Sequence, residues 1–143
     1  MFSLIPRSEF DRVRALGRDD FKDLQLFADM CRYNTFIMVK KAGSGHLGSS
    51  FSAADIITYL YLHKLNVLEV GLDSPDRDIY FSSKGHDVPG FYSLLYALGV
   101  VEEEQALMLR RLNGLDGHPE VRIPGVEAST GSLGMGISKA KGM

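Results

Sequence analysis

A second cysteine is absent from this chain, and with it any internal disulfide: Cys31 stands alone among 143 residues. A solitary thiol of this kind reads as a reduced, buried side chain in a cytoplasmic protein. A surplus of positive charge is also lacking. The 16 Lys and Arg against 18 Asp and Glu leave a net charge of −2, without the basic footprint that nucleic-acid binding requires. No apolar run approaches the roughly 20 residues of a membrane span. The start, Met1-Phe2-Ser3-Leu4-Ile5-Pro6-Arg7, is too short and wrongly flanked for a signal peptide. No histidine and cysteine cluster has zinc spacing. Repeats, low-complexity tracts and linker-like stretches are missing too. The remainder is an ordinary globular composition, 45% hydrophobic and 24% charged, of a length that suits one domain or part of one.

What the chain does have is histidine beside glycine. Three of its four histidines lie in glycine-bracketed loops: Ser44-Gly45-His46-Leu47-Gly48, Ser83-Lys84-Gly85-His86 and Asp116-Gly117-His118-Pro119-Glu120. A fourth loop, Thr130-Gly131-Ser132-Leu133-Gly134-Met135-Gly136, follows near the C-terminus. Glycine lets a backbone approach a ligand closely. Imidazole donates, accepts and titrates near neutrality. Together they suggest a polar, phosphate-bearing ligand handled by imidazoles. His63 lacks glycine neighbours and reads as a surface or helix-end histidine.

Residues 1–19 read as an N-terminal arm and 20–143 as the domain. Apolar spacing predicts a helix from Asp20 to Ala42, closed by Lys40-Lys41 and Gly43. Ser52-Ala53-Ala54-Asp55 resembles a capping box and predicts a second helix through Ile56, Ile57 and Leu60 to about Lys64. Gly71 to Arg77 reads as a loop, and Asp78-Ile79-Tyr80-Phe81-Ser82 as the best strand. Helices are predicted for Pro89–Leu98, from Glu102 to near Leu112, and from Ile137 onward. Acidic charges favour a helix N-terminus, so Glu102-Glu103-Glu104 reads as a helix start and not a metal site. Gly43-Ser44-Gly45-His46-Leu47-Gly48 fits the dinucleotide fingerprint G-x-G-x-x-G, but that motif needs a strand before it and here a helix precedes it. Gly114-Leu115-Asp116-Gly117 lacks the further carboxylates of a calcium loop.

The order of the motifs carries more. Gly43-Ser44-Gly45-His46-Leu47-Gly48-Ser49-Ser50 with Ser52-Ala53-Ala54-Asp55, Arg77-Asp78 with Ser82-Ser83-Lys84-Gly85-His86, Gly117-His118-Pro119-Glu120, and Pro124-Gly125-Val126-Glu127 with Ser129-Thr130-Gly131-Ser132-Leu133-Gly134 stand in register. In these stretches, from about Leu24 to Met143, the chain resembles the N-terminal part of transketolase. It is most similar to the small N-terminal subunit of transketolases split into two chains. The loop differs from many members in Ser132, where proline is frequent, and in Met135, where glutamine is common.

The resemblance implies an α/β fold, the N-terminal portion of a thiamine diphosphate-binding domain, helix-rich with a truncated parallel sheet. It implies transfer of a two-carbon ketol unit from a ketose to an aldose, in pentose phosphate metabolism, with the cofactor as electron sink. By the same resemblance, His86 contacts the cofactor diphosphate. His46 and His118 face substrate hydroxyls as catalytic groups, and Gly131, Ser132, Leu133 and Gly134 lie against the cofactor rings. In the family, magnesium (Mg2+) is held by a Gly-Asp-Gly motif and an asparagine that follow the glycine loop, and a pyrimidine-activating glutamate comes from another domain. Met143 precedes both, so the metal ligands are expected outside this chain. The implied partners are phosphorylated sugars and a C-terminal transketolase subunit or remaining polypeptide, in an oligomer. The alternative is a non-catalytic remnant or interaction module of the same fold. Helix faces bearing Ile56, Ile57 and Leu60 are expected to be short of partners.

Overall fold

The computed structural model describes residues 3–17 and 21–143. The segment Leu24–Ala42 belongs to the long helix α2 (Phe21–Ala42), whose buried side includes Phe27, Cys31, Asn34 and Met38. Asp20, the expected first residue of this helix, lies outside the described residues, as do Arg18 and Asp19 of the arm. Gly43 ends α2 as the sequence predicts: its φ is +71° and its amide donates to the Val39 carbonyl at 2.9 Å. Before α2, α1 (Arg7–Arg14) buries Phe10 and Val13. The Phe10 ring meets Phe27 edge-on at 4.9 Å. Buried Asn34 pairs with the chain just before α1, accepting from the Ile5 amide at 2.7 Å and donating to the Ile5 carbonyl at 3.1 Å.

The second predicted helix starts five residues early. Helix α3 (Leu47–Tyr59) begins directly after His46 and passes into a π-helical turn, Leu60–Lys64. Ser52 therefore lies inside the helix, donating back to the Ser49 carbonyl at 2.9 Å, and is not its cap. Ile57 is buried, which corrects its assignment to a bare face, whereas Ile56 is 63% exposed. A short helix, α4 (Val67–Val70), and a series of turns follow.

Asp78–Ser82 forms no strand, and none occurs among the described residues. A strand exists through ladder bonds to a neighbour. Here Asp78 is engaged otherwise: its amide donates to Asn66 Oδ1 at 2.7 Å, and its carboxylate accepts from the Asn66 amide at 2.9 Å. The β-type composition survives as packing, with Tyr80 against Tyr61 and Phe91.

A 3-10 turn, Gly85–Asp87, leads into α5 (Val88–Ala97), all ten residues of which are buried. This helix packs against both α2 and α3, which also pack on each other. Gly90 lets it approach α3 closely: a Cβ there would lie 3.1 Å from the Ser50 carbonyl oxygen. Leu94 and Leu95 are fully enclosed, and truncating either to alanine costs about 2–5 kcal/mol. The helix predicted from Glu102 shrinks to α6 (Glu103–Ala106), opened by a reciprocal capping box between Glu102 and Gln105. The chain turns after it, and Arg110 takes a left-handed backbone, φ +56°, that sends its amide to the Leu115 carbonyl at 2.7 Å. The last helix, α7 (Gly136–Gly142), lies where the sequence places it. No helix among the described residues is long and apolar enough to cross a membrane.

Candidate functional site

His46 is the residue before α3, extended at φ −108° and ψ 100°, with an exposed side chain. Its position is fixed from both sides. Gly45 has φ +146°, and a Cβ there would stand 2.8 Å from Val39. The His46 carbonyl accepts the Ser50 hydroxyl at 2.7 Å. Ser50 also lies 3.1 Å from the Asp87 carbonyl, so one buried hydroxyl links the start of α3 to the turn that carries His86. The two imidazoles meet: the rings of His46 and His86 are 5.0 Å apart and inclined at 62°.

Gly85 turns its bare α-carbon to the fourth loop. A Cβ on it would lie 2.5 Å from the Thr130 carbonyl oxygen, a clash with backbone that no side chain can relieve. Further along, the Gly136 amide donates to Ser83 Oγ at 3.0 Å. At its other edge the loop touches the third histidine: a Cβ on Gly131 would be 3.3 Å from His118 Cδ2. His118 is exposed, and its carbonyl accepts the Tyr92 hydroxyl at 3.2 Å. Contacts therefore run from His46 to His86, from the His86 turn to Thr130, and from Gly131 to His118. Ser132, Leu133 and Gly134 are exposed, Leu133 at 72%. His63 lies apart on the π-helical turn, its ring 5.1 Å from Tyr59.

The electrostatics are asymmetric. Asp87 is buried beside His86, and burial lifts its carboxyl above the usual range, against the opposing pull of the Ser82 hydroxyl, Lys84 and His86. Ser82 donates to it at 2.7 Å, and Lys84 Nζ stands 4.0 Å away. Residues that local sequence reading did not pair also shape the site. Arg77 grips Glu127 through two bonds, of 2.9 and 2.7 Å, and so fastens the turn before residue 78 to the segment entering the fourth loop. Both belong to the matching motifs, but nothing local in the sequence signals that they meet. Arg110 and Tyr92 carry no local signal, and Ser83, although part of a matching motif, carries none that it meets Gly136.

The donor set fits an anionic, ring-bearing cofactor. Thr130 Oγ1 is buried at the loop edge with no hydrogen-bond partner among the described residues. The bare α-carbon of Gly85 lies against it: a Cβ there would stand 2.8 Å from this hydroxyl oxygen. A metal is a different matter: no group of three His, Cys, Asp or Glu among the described residues could hold one.

The comparisons with known proteins define the class. Residues 24–143 match the family model described as transketolase, thiamine diphosphate binding domain. This chain belongs to the transketolase family. Human transketolase-like protein 2 is 34% identical over 131 residues, which cover 89% of this chain and 21% of that protein. An apulose-4-phosphate transketolase subunit from Phocaeicola vulgatus is 36% identical over 124 residues, covering 84% of this chain and 43% of that polypeptide. Human transketolase is 35% identical over 135 residues, 92% of this chain and 22% of that enzyme. The chain thus spans about a fifth of the long relatives and about two fifths of the shorter one.

Proposed function

We propose that this chain supplies the diphosphate-side and substrate-side residues of a thiamine diphosphate site completed by protein outside it. The reaction is transfer of a two-carbon ketol unit from a ketose to an aldose, with phosphorylated sugars as substrates. The observation that supports this reading most is the run of contacts joining the three histidine loops to the Thr130–Gly136 loop, within a chain of this family.

When bound, thiamine diphosphate supplies the nucleophilic carbon and the electron sink. The chain's own residues do the rest. His86, at the head of α5, donates from its imidazole to the diphosphate, where the positive end of the helix also favours an anion. Gly131, Ser132 and Gly134 bring main chain close to the cofactor rings, and Leu133 offers them an apolar face. His46 and His118, both exposed, hold sugar hydroxyls and move protons at them. Magnesium binds through carboxylate and carbonyl oxygens in near-octahedral array, and those ligands belong to the polypeptide beyond this chain. Residues 78–82 take their place there as a strand of a parallel sheet. That a relative of similar sequence is itself named as a transketolase subunit supports a complementary chain; the assembly is proposed to be an oligomer in the cytoplasm.

Calorimetric titration with thiamine diphosphate and magnesium tests the reading. The chain alone is expected to bind weakly. Mixed with a C-terminal transketolase subunit, it is expected to bind in a metal-dependent way and to catalyse ketol transfer. A mixed complex that forms but neither binds the cofactor nor turns over sugar would make the chain a non-catalytic interaction module.

A further inference from the structure

Arg110 stands between two of the histidine loops. Its Nη1 donates to Ser44 Oγ, two residues before His46, at 2.5 Å. The rest of its guanidinium lies on the bare α-carbon of Gly117, the residue before His118. A Cβ at Gly117 would fall 2.5 Å from Nε and 2.7 Å from Nη2. The backbone is committed to this placement. Arg110 is a non-glycine residue at φ +56°, held there by its bond to Leu115. Such a conformation is uphill for a residue with a side chain and persists only where its surroundings over-determine it. Gly114 closes the same knot: a Cβ there would strike the Met108 carbonyl oxygen.

We propose that Arg110 is a positioning residue that fixes the separation of His46 and His118 by tying the Ser44 hydroxyl to the Gly117 α-carbon. The inference rests on the reading that both imidazoles serve one sugar. Two groups acting on one substrate must share a frame, and a displacement of about 1 Å can cost about 10²-fold in rate. Arginine suits the task because its planar fork offers an edge to the hydroxyl and a face to the glycine. Lysine offers only a point donor.

The test uses the full chain with three variants: Arg110→Met, Arg110→Lys and Gly117→Ala. Amide hydrogen exchange is read at Gly45 and His46, at Gly117 and His118, and in α5. Arg110→Met is expected to speed exchange several-fold in both loops and to leave α5 protected. Arg110→Lys is expected to restore protection at Gly45 and His46 only. Gly117→Ala, which pushes the guanidinium away, is expected to loosen both loops. In the assembled enzyme, Arg110→Met is expected to lower kcat about tenfold or more with the cofactor Kd unchanged, since the groups are retained but misplaced. Unchanged exchange at either loop in Arg110→Met, or α5 exchange rising together with the loops, would overturn the proposal. So would wild-type kcat in that variant. Failure of the wild-type assembly to bind cofactor instead strikes the proposed function, because the exchange experiment does not depend on it.

Discussion

The α-carbon of Gly85 and the carbonyl of Thr130 are packed so closely that a single methyl group on the glycine would sit 2.5 Å from the oxygen. This contact sets how far the fourth loop lies from His86. Gly85→Ala must move backbone, not a side-chain tip. It is expected to weaken thiamine diphosphate binding in the assembled enzyme by about tenfold or more, the scale of losing a charged hydrogen bond. Calorimetry measures the effect, and an unchanged Kd would detach the loop from the cofactor.

His118 and His63 are both exposed, but only one touches the glycine loop. In the assembled enzyme, His118→Ala is expected to lower kcat by about 10²-fold, the usual cost of removing a donor that acts on the transition state. His63→Ala is expected to leave kcat within about twofold, as for a surface change away from the chemistry. Steady-state kinetics on both, with circular dichroism to verify folding, separates them. Equal losses would refute the distinction.

Asp87 predicts a pH effect of definite sign. Burial raises its carboxyl above the ordinary value in the folded chain. Between the unfolded and folded values the native state holds more proton than the unfolded one, so its contribution to stability is lost as pH rises through that window. Asp87→Asn retains an oxygen for the Ser82 hydroxyl and removes the charge. Urea midpoints at acid and neutral pH should show the variant gaining on the wild type as pH increases. Parallel pH profiles would contradict this.

Cys31 is expected to be inert in the folded chain. It is 2% exposed, and burial pushes its thiol up to about 12, so thiolate is scarce near neutrality. An aromatic disulfide reagent should label it fully in guanidinium chloride and very slowly in buffer. Rapid labelling of native protein would show that the core between α2 and α5 opens readily.

Much of this molecule is legible in its sequence, and the failures share a cause. Helix α2 is readable from its apolar spacing and its closing Lys40-Lys41-Gly43, and α5 from Pro89 and Gly99, because those signals are local. The start of α3 escapes such reading because Leu47-Gly48-Ser49 has loop composition. Tertiary placement of Ser50 against His46 and Asp87 overrides it. The helix predicted through Leu112 stops at Ala106, and the left-handed backbone of Arg110 beyond it goes with the close packing of Gly114 and Gly117, which no propensity encodes. The strand at 78–82 has the right residues but no partner among those described. At the site, the order of the histidine loops is plain. The pairings of Arg77 with Glu127 and of Arg110 with Ser44 are not, for they join residues 50 and 66 positions apart. A chain written in one dimension carries no local mark of such distances.

Helix α5 ties these observations together. It begins in the turn that presents His86, fills the core along its whole length, and reaches His118 through the Tyr92 hydroxyl. The proposed site and the core therefore draw on the same ten residues. A substitution in this helix would disturb the proposed site and the stability of the fold together.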